Sequence, residues 1–175
     1  MKEVEVKILE IDTEAVVEKL LSLGAEKVFE GDMLATMYDF PDRRFDKEGS
    51  FVRLRTKGNT AELVFKKRLL GTVAKSFEET ETQVSDLQAT RKILEILGLV
   101  PLREGRNCHR VSYVIDSTHI EIDTIEGIPT FLEIEVQDES EIAAWVEKLG
   151  YAMADAKPWS KREVYAYYGV VLENN

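Results

Sequence analysis

An α+β fold is predicted for this chain of 175 residues, and three features predict it. Most strand-like runs alternate apolar with charged residues. A short hairpin turn joins two consecutive runs, which implies antiparallel neighbours. Three amphipathic helices interrupt the strands without alternating regularly with them, which argues against a doubly wound parallel sheet. The opening MKEVEVKI sets the pattern. Glu3, Glu5 and Lys7 alternate with Val4, Val6 and Ile8, and in a strand such alternation sends the two sets to opposite faces.

The first helix is DTEAVVEKLLSLGAE, started by Asp12 or Thr13 and ended by Gly24, with Val16, Leu20 and Leu23 at helical spacing. EKVFEGDMLATMYDF then reads as a strand. SFVRLRTKG and TAELVFKKR form a hairpin through Lys57-Gly58-Asn59, and AKSFEETETQV is a further strand. The second helix is SDLQATRKILEILGL, with Ser85 and Gln88 as a capping box and Gly98 closing it. The strands LREGRNCHRVSYVID, THIEIDTIEG and TFLEIEVQD follow. A third helix, DESEIAAWVEKLGY, is capped by Asp138 and Glu141 and closed by Gly150. All three helices end in Leu-Gly before an apolar residue (Ala25, Leu99, Tyr151), a faint internal echo. The tail KPWSKREVYAYYG reads as a short helix with an aromatic face, begun near Pro158. This makes about eight strands in a single domain, 1–175, with no low-complexity linker. Eight antiparallel strands can close into a barrel, which removes exposed edges.

Composition narrows the function. Hydrophobic residues make up 44% and charged residues 32%, as in a soluble globular protein. No apolar run approaches the roughly 18 to 20 residues that span a bilayer, and no signal-peptide pattern opens the chain. The lone Cys108 allows no intrachain disulfide, which fits a cytoplasmic setting. A net charge of -10 argues against general nucleic-acid binding and means that an anionic ligand needs a local basic pocket, with or without metal cations.

The charged strand faces carry the functional question. Arg53 and Arg55 share a face, as do Glu62, Val64 and Lys66; Glu79 and Glu81; Cys108, Arg110 and Ser112; Glu121 and Asp123; and Phe131, Glu133 and Glu135. These faces point either to water, as in ordinary half-buried strands, or into the barrel, leaving the apolar faces for the helices. An inward arrangement requires both signs, because buried charges must be paired or bind ions. Arginine and lysine suit phosphate oxygens, and carboxylates at i, i+2 on adjacent strands suit Mg²⁺ or Mn²⁺. Together they imply a polyphosphate–metal complex. Residue patterning alone leaves both orientations open.

The order of motifs is more specific. Glu3-x-Glu5-x-Lys7, then TMYDFPDRRFDKEGSFVRLR, ELVFKK, ETE at 79–81, HRVSY and IEIDTIEGIPTFLEIEV resemble the CYTH superfamily, the triphosphate tunnel metalloenzymes, to about residue 137. The resemblance implies a closed eight-stranded antiparallel β-barrel, a tunnel with charges inside and helices packed outside. It implies action on a small-molecule triphosphate with Mg²⁺ or Mn²⁺. Lys7, Arg53, Arg55, Lys66 and Arg110 would bind phosphate, and Glu3, Glu5, Asp123, Glu133 and Glu135 would hold metal. Glu133, Glu135, Lys66 and Arg55 would carry catalysis. Glu79 and Glu81 are acidic wall positions, and Tyr38 is a wall hydroxyl or a core tyrosine. Three departures stand out. Cys108 occupies a position where many relatives have lysine. Gly127-Ile128-Pro129 replaces a Gly-Leu-Gly turn. Ser160-Lys161 lies near the place of a Ser-Tyr pair, where Lys157 or Lys161 either supplies a cation to the tunnel mouth or, the favoured reading, lies at the surface.

Three functions compete: a metal-dependent triphosphatase on tripolyphosphate, a nucleoside triphosphate or thiamine triphosphate; a class IV adenylyl cyclase making cyclic AMP and pyrophosphate; and a non-catalytic triphosphate binder. Nothing in the chain specifies adenine. Cys108, His109 and His119 match no common zinc spacing, and no phosphate-loop or dinucleotide-binding motif is present. Trp145 and Trp159 are expected to pack. Monomer and homodimer both remain open.

Overall fold

The computed structural model describes residues 2–69 and 75–171. In chain order the elements are β1 (Lys2–Ile8), α1 (Thr13–Ser22), β2 (Glu26–Met33), β3 (Ala35–Asp39), α2 (Arg44–Lys47), β4 (Ser50–Lys57), β5 (Thr60–Leu69) and β6 (Lys75–Val84). There follow α3 (Leu87–Ile96), β7 (Val100–Glu104), β8 (Cys108–Ile115), β9 (Thr118–Ile125), β10 (Ile128–Val136), a 3₁₀ turn (Glu139–Glu141), α4 (Ile142–Lys148) and α5 (Lys161–Tyr167). Ala74, in the expected β6 run, lies outside the described residues.

All strand pairs are antiparallel. They form one ten-stranded sheet, β2-β8-β9-β10-β1-β6-β5-β4-β3-β7. This corrects the expected closed ring of eight strands: strand pairing leaves β2 and β7 as edges. Two expected strands each break in two, one at Leu34 and the other between β7 and β8. The break at Leu34 lets one run of chain serve both ends of the sheet. Met33 pairs with Cys108 on β8, while Ala35 pairs with Arg55 on β4. Thr56 N donates to Leu34 O at 2.9 Å, and Gly58 N donates to Asp32 O at 3.1 Å. The sheet therefore curls, bringing the end of β2 beside the end of β4 at residues 32–34.

The helices form where the sequence offers caps. Asp12 accepts from Ala15 N at 3.1 Å and starts α1. Asp86, not Ser85, starts α3, accepting from Ala89 N at 2.9 Å. Asp138 caps the 3₁₀ turn that leads into α4. Ser160 and Glu163 form a reciprocal capping box on α5, so Pro158 lies two residues before the cap. The Leu-Gly-apolar echo has a common cause. Gly24, Gly98 and Gly150 are left-handed, at φ 83, 90 and 89. In each case the next residue donates back to the carbonyl five residues earlier: Ala25 to Leu20, Leu99 to Leu94 and Tyr151 to Val146. These are three Schellman endings, so the echo reflects helix termination and is no sign of duplication.

The apolar strand faces meet helices. Val4, Val6, Ile120, Ile122, Leu132 and Ile134 form the main core with Val16 and Leu20 of α1 and Trp145 and Val146 of α4. Leu54 and Tyr38 pack with Leu94 of α3. α5 departs from the expected outside position. Its Val164 and Tyr165 pack on Cys108, Ile125 and Phe131, which lie on the charged side of their strands, so α5 covers one end of the concave face. Backbone bonds between Lys7 and Lys157 in both directions, 2.8 and 2.7 Å, tie the approach to α5 onto β1. Among the described residues no helix is long and apolar enough to cross a membrane.

Leu20→Ala, at a fully buried position, is expected to lower stability by about 2–5 kcal/mol. Its neighbour Leu21 is 58% exposed, and Leu21→Ala should change stability by less than about 0.5 kcal/mol. Urea unfolding of both variants checks the helix register.

Candidate functional site

Strand register puts the charges together. Residues directly opposite in an antiparallel pair share a face. Lys7 faces Glu133, Glu5 faces Glu135, Arg110 faces Asp123, Lys66 faces Glu79 and Arg55 faces Glu62. With their apolar neighbours committed to the helices, these side chains line the concave side. Glu3, Glu5, Lys7, Glu62, Lys66, Arg110, Glu121, Asp123 and Glu133 are buried there. Of the two orientations left open by the sequence, the charges take the inward one.

The buried charges compensate one another locally. Lys7 Nζ lies 3.1 Å from Glu5 Oε1 and 2.9 Å from Glu133 Oε2. Burial works against its charge, but the two carboxylates win and raise its pKa. Arg110 grips Asp123 bidentately, Nε to Oδ1 at 2.6 Å and Nη2 to Oδ2 at 2.7 Å. Despite burial, Asp123, Glu121 and Glu133 together hold Arg110 well above its ordinary value. Burial likewise works against ionised Asp123 and Glu133, yet Arg110 and Lys7 respectively hold them below the usual carboxylate range. Lys66 Nζ reaches both oxygens of Glu3, at 2.6 and 2.5 Å, and Glu79 Oε2 at 2.7 Å. Burial and the hydrogen bond with Glu79 raise Glu3. Arg55 Nε meets Glu62 at 2.5 Å and its Nη2 meets Glu81 at 3.4 Å at the exposed rim. Ser112 donates to Glu121.

Two places are not balanced. Arg53 Nε is buried with no hydrogen-bond partner. Burial, and then Arg55 beside it, push its guanidinium down to about 10. Across the sheet, Glu5 and Glu135 are like charges directly opposite. Burial, with Glu3, Glu133 and Glu5 nearby, pushes the Glu135 carboxyl up to about 8. One subsite lacks an anion and the other holds surplus acid. This donor set suits a hard divalent cation chemically, since Glu3, Glu5, Glu133 and Glu135 supply oxygens and crowd like charges around Glu135. Among the described residues no three acidic, His or Cys side chains are already arranged as a cage; the acids are held by lysines and arginines instead. A metal would take its ligands by exchanging those partners.

Of the residues expected from the sequence, Glu3, Glu5, Lys7, Arg53, Arg55, Lys66, Glu79, Arg110, Asp123, Glu133 and Glu135 share the concave face, and Glu81 sits at its rim. Tyr38 does not belong with them. It pairs with Val52 and packs on Leu54, Leu94 and Leu99, on the helix side. Its hydroxyl has no partner there, so it is a core tyrosine. Lys161, expected at the surface, is a site residue. Its Nζ lies 2.7 Å from Asp123 Oδ2 and 3.6 Å from Cys108 Sγ. Burial pushes the Cys108 thiol up to about 12, so a neutral thiol faces this ammonium at neutral pH. Lys157 stays off the face, its Nζ donating to Ala154 O. The sequence left Lys161 between the tunnel mouth and the surface because 51 positions separate it from Arg110 along the chain. The available signal was the Ser160-x-x-Glu163 capping box, which fixes where α5 starts. Glu62 and Glu121 also belong to this face, as their alternation had indicated.

Residues 1–156 match the CYTH domain, and the chain belongs to that family. A putative adenylate cyclase of Methanocaldococcus jannaschii is 29% identical over 138 residues, 77% of each chain. A putative adenylate cyclase structure from Vibrio parahaemolyticus matches at TM-score 0.78 and 21% identity, over 94% of this chain and 97% of that one. A Hippeastrum protein, described as a putative adenylyl cyclase with a dominant triphosphatase activity, matches at TM-score 0.65 and 16% identity, over 99% of both.

The raised Glu135 carboxyl has a measurable consequence. In the unfolded chain the group ionises near 4.5, while the folded protein keeps the proton to about 8. Between these values the folded state binds more protons, so stability falls as pH rises. In metal-free protein Glu135→Gln should flatten the decline between pH 4.5 and 8 by up to about 1.4 kcal/mol per pH unit. Denaturant titrations in chelator across that window read it directly.

Proposed function

We propose that this protein is a metal-dependent triphosphatase, with Mg²⁺ or Mn²⁺ as cofactor, and that its curled sheet closes around the phosphate chain as a tunnel. The observation that carries this reading is the buried charged face with an unmatched guanidinium, Arg53, beside Arg55. A phosphate oxygen supplies the partner that Arg53 lacks, and the guanidinium fork suits it. Lys7, Lys66 and Arg110 are in reach of the same face and would trade carboxylates for phosphate oxygens. Glu3, Glu5, Asp123, Glu133 and Glu135 would take the metal. When bound, the cation neutralises charge and polarises a phosphoryl oxygen. Lys161 adds a cation beside Cys108, where the strand itself has none. α5 covers one end of the face and limits water entry there. The buried single thiol fits a cytoplasmic protein.

Tripolyphosphate is placed ahead of nucleoside triphosphates, because no residue on the concave face specifies a base. The name of the Methanocaldococcus relative favours a second reading, adenylyl cyclase, which would use the same phosphate-binding residues. The Hippeastrum protein supports treating cyclase and triphosphatase activities as neighbours on this fold.

Phosphorus NMR with tripolyphosphate and ATP in parallel, with Mg²⁺ or Mn²⁺, separates the readings. Orthophosphate with a diphosphate product is the expected outcome. Pyrophosphate and cyclic AMP from ATP, without orthophosphate, would make the protein a cyclase. Arg53→Ala, Arg55→Ala and Glu133→Gln should each lower phosphate release by at least about 100-fold while circular dichroism stays native. Near-normal rates in all three would remove the concave face from catalysis.

A further inference from the structure

A second cationic site lies beside the charged face. Arg43 ahead of α2, Arg103 on β7 and Arg162 on α5 surround a cavity of about 210 Å³, with Asp46 and Tyr165 also in its wall. Among the described residues none of the three arginines has a carboxylate within 4.0 Å, although Asp46 shares the cavity. Arg103 Nε is buried and without a hydrogen-bond partner. Three guanidiniums against one carboxylate leave the cavity strongly positive in a chain of net charge -10. Burial, and then the proximity of Arg162, lower the Arg103 pKa, as an anion-deficient cluster requires.

Two structural links tie the cavity to the concave face. Arg103 pairs with Met37, and Met37 pairs with Arg53. All three share one face, so the Arg103 and Arg53 backbones lie about 10 Å apart across one intervening strand. On the other side, Tyr165 lines the cavity and packs on Cys108, while Lys161 of the same helix reaches Asp123. Arg53 and Arg103 thus lie on one sheet face, and Lys161 and Arg162 lie on one helix, linking the concave face to the cavity.

We propose that this cavity is a phosphate subsite for the far end of a linear polyphosphate whose near end lies on the concave face, so that chains longer than three phosphates are the preferred substrate class. The inference rests on the triphosphatase reading and extends it. Guanidinium forks match phosphate oxygens, and a polyanion gains from every further cation it meets. The nearest rival is an independent site for free phosphate.

The test is calorimetric titration of metal-free protein with orthophosphate, tripolyphosphate, tetrapolyphosphate and a longer chain, in wild type and in Arg43→Ala, Arg162→Ala and the double variant. Arg43 and Arg162 are exposed, so these variants should fold; Arg103→Ala is the fourth variant. The expected result is tighter binding of the longer chains than of tripolyphosphate, reduced about tenfold per removed guanidinium, with tripolyphosphate binding and turnover unchanged. Equal affinity for all chains, or variants without effect on the longer ones, overturns the proposal. Variant-sensitive binding of orthophosphate with no chain-length dependence also overturns it, in favour of a separate phosphate site. Tripolyphosphate turnover reports on the concave face alone. Its absence with chain-length-dependent binding intact would overturn the hydrolase and leave the subsite standing.

Discussion

The structure depends on charge compensation across strands inside the curl of the sheet. Removing one partner of a buried ion pair costs about 3–5 kcal/mol, because the other charge is left without compensation. The concave face therefore tolerates acids and bases only where the register sets one against another. Lys7 bridges Glu5 and Glu133, Arg110 forks onto Asp123, and Lys66 holds Glu3 and Glu79. A slip of one residue in β1 would turn Val4, Val6 and Ile8 onto this face and its charges onto α1 and α4. The apolar and ionic halves of every strand thus enforce the same register.

Charge compensation is incomplete in two places. Arg53 has a buried Nε with no hydrogen-bond partner, and Glu135 faces a like charge, Glu5, across the sheet. On the proposed reading a triphosphate with a divalent cation would answer both at once, with phosphate oxygens completing Arg53 and the metal relieving the glutamates. The ion pairs between these subsites hold the side chains near their working positions and resist collapse of the face. The same logic extends outward to Arg43, Arg103 and Arg162, three bases around one cavity.

α5 changes the character of the face. Packed on Cys108, Ile125 and Phe131, it blocks one end of the concavity and brings Lys161 to Asp123. The cation absent from β8 at Cys108 is supplied by a helix. Its placement depends on the two backbone bonds between Lys7 and Lys157 and on the Ser160–Glu163 box.

Much of this was legible in the amino-acid sequence, because the causes are local. Alternation of valine with glutamate assigns β1 and its two faces; Leu-Gly before an apolar residue ends three helices; and the Glu-x-Glu-x-Lys and Arg-x-Arg spacings name five residues of the charged face. Which way that face points was not legible, since alternation is the same for a solvated strand and an inward one. Only the docking of α1, α3 and α4 on the apolar side decides it. The ten-stranded open order was hidden because the break at Leu34 is a change of partner, and partners are a property of the whole sheet. Tyr38 and Lys161 exchanged expected places for the same reason. Whether a side chain joins the site depends on the face its neighbours across the sheet impose, or on a helix arriving from 51 residues beyond Arg110, and neither is written in local spacing.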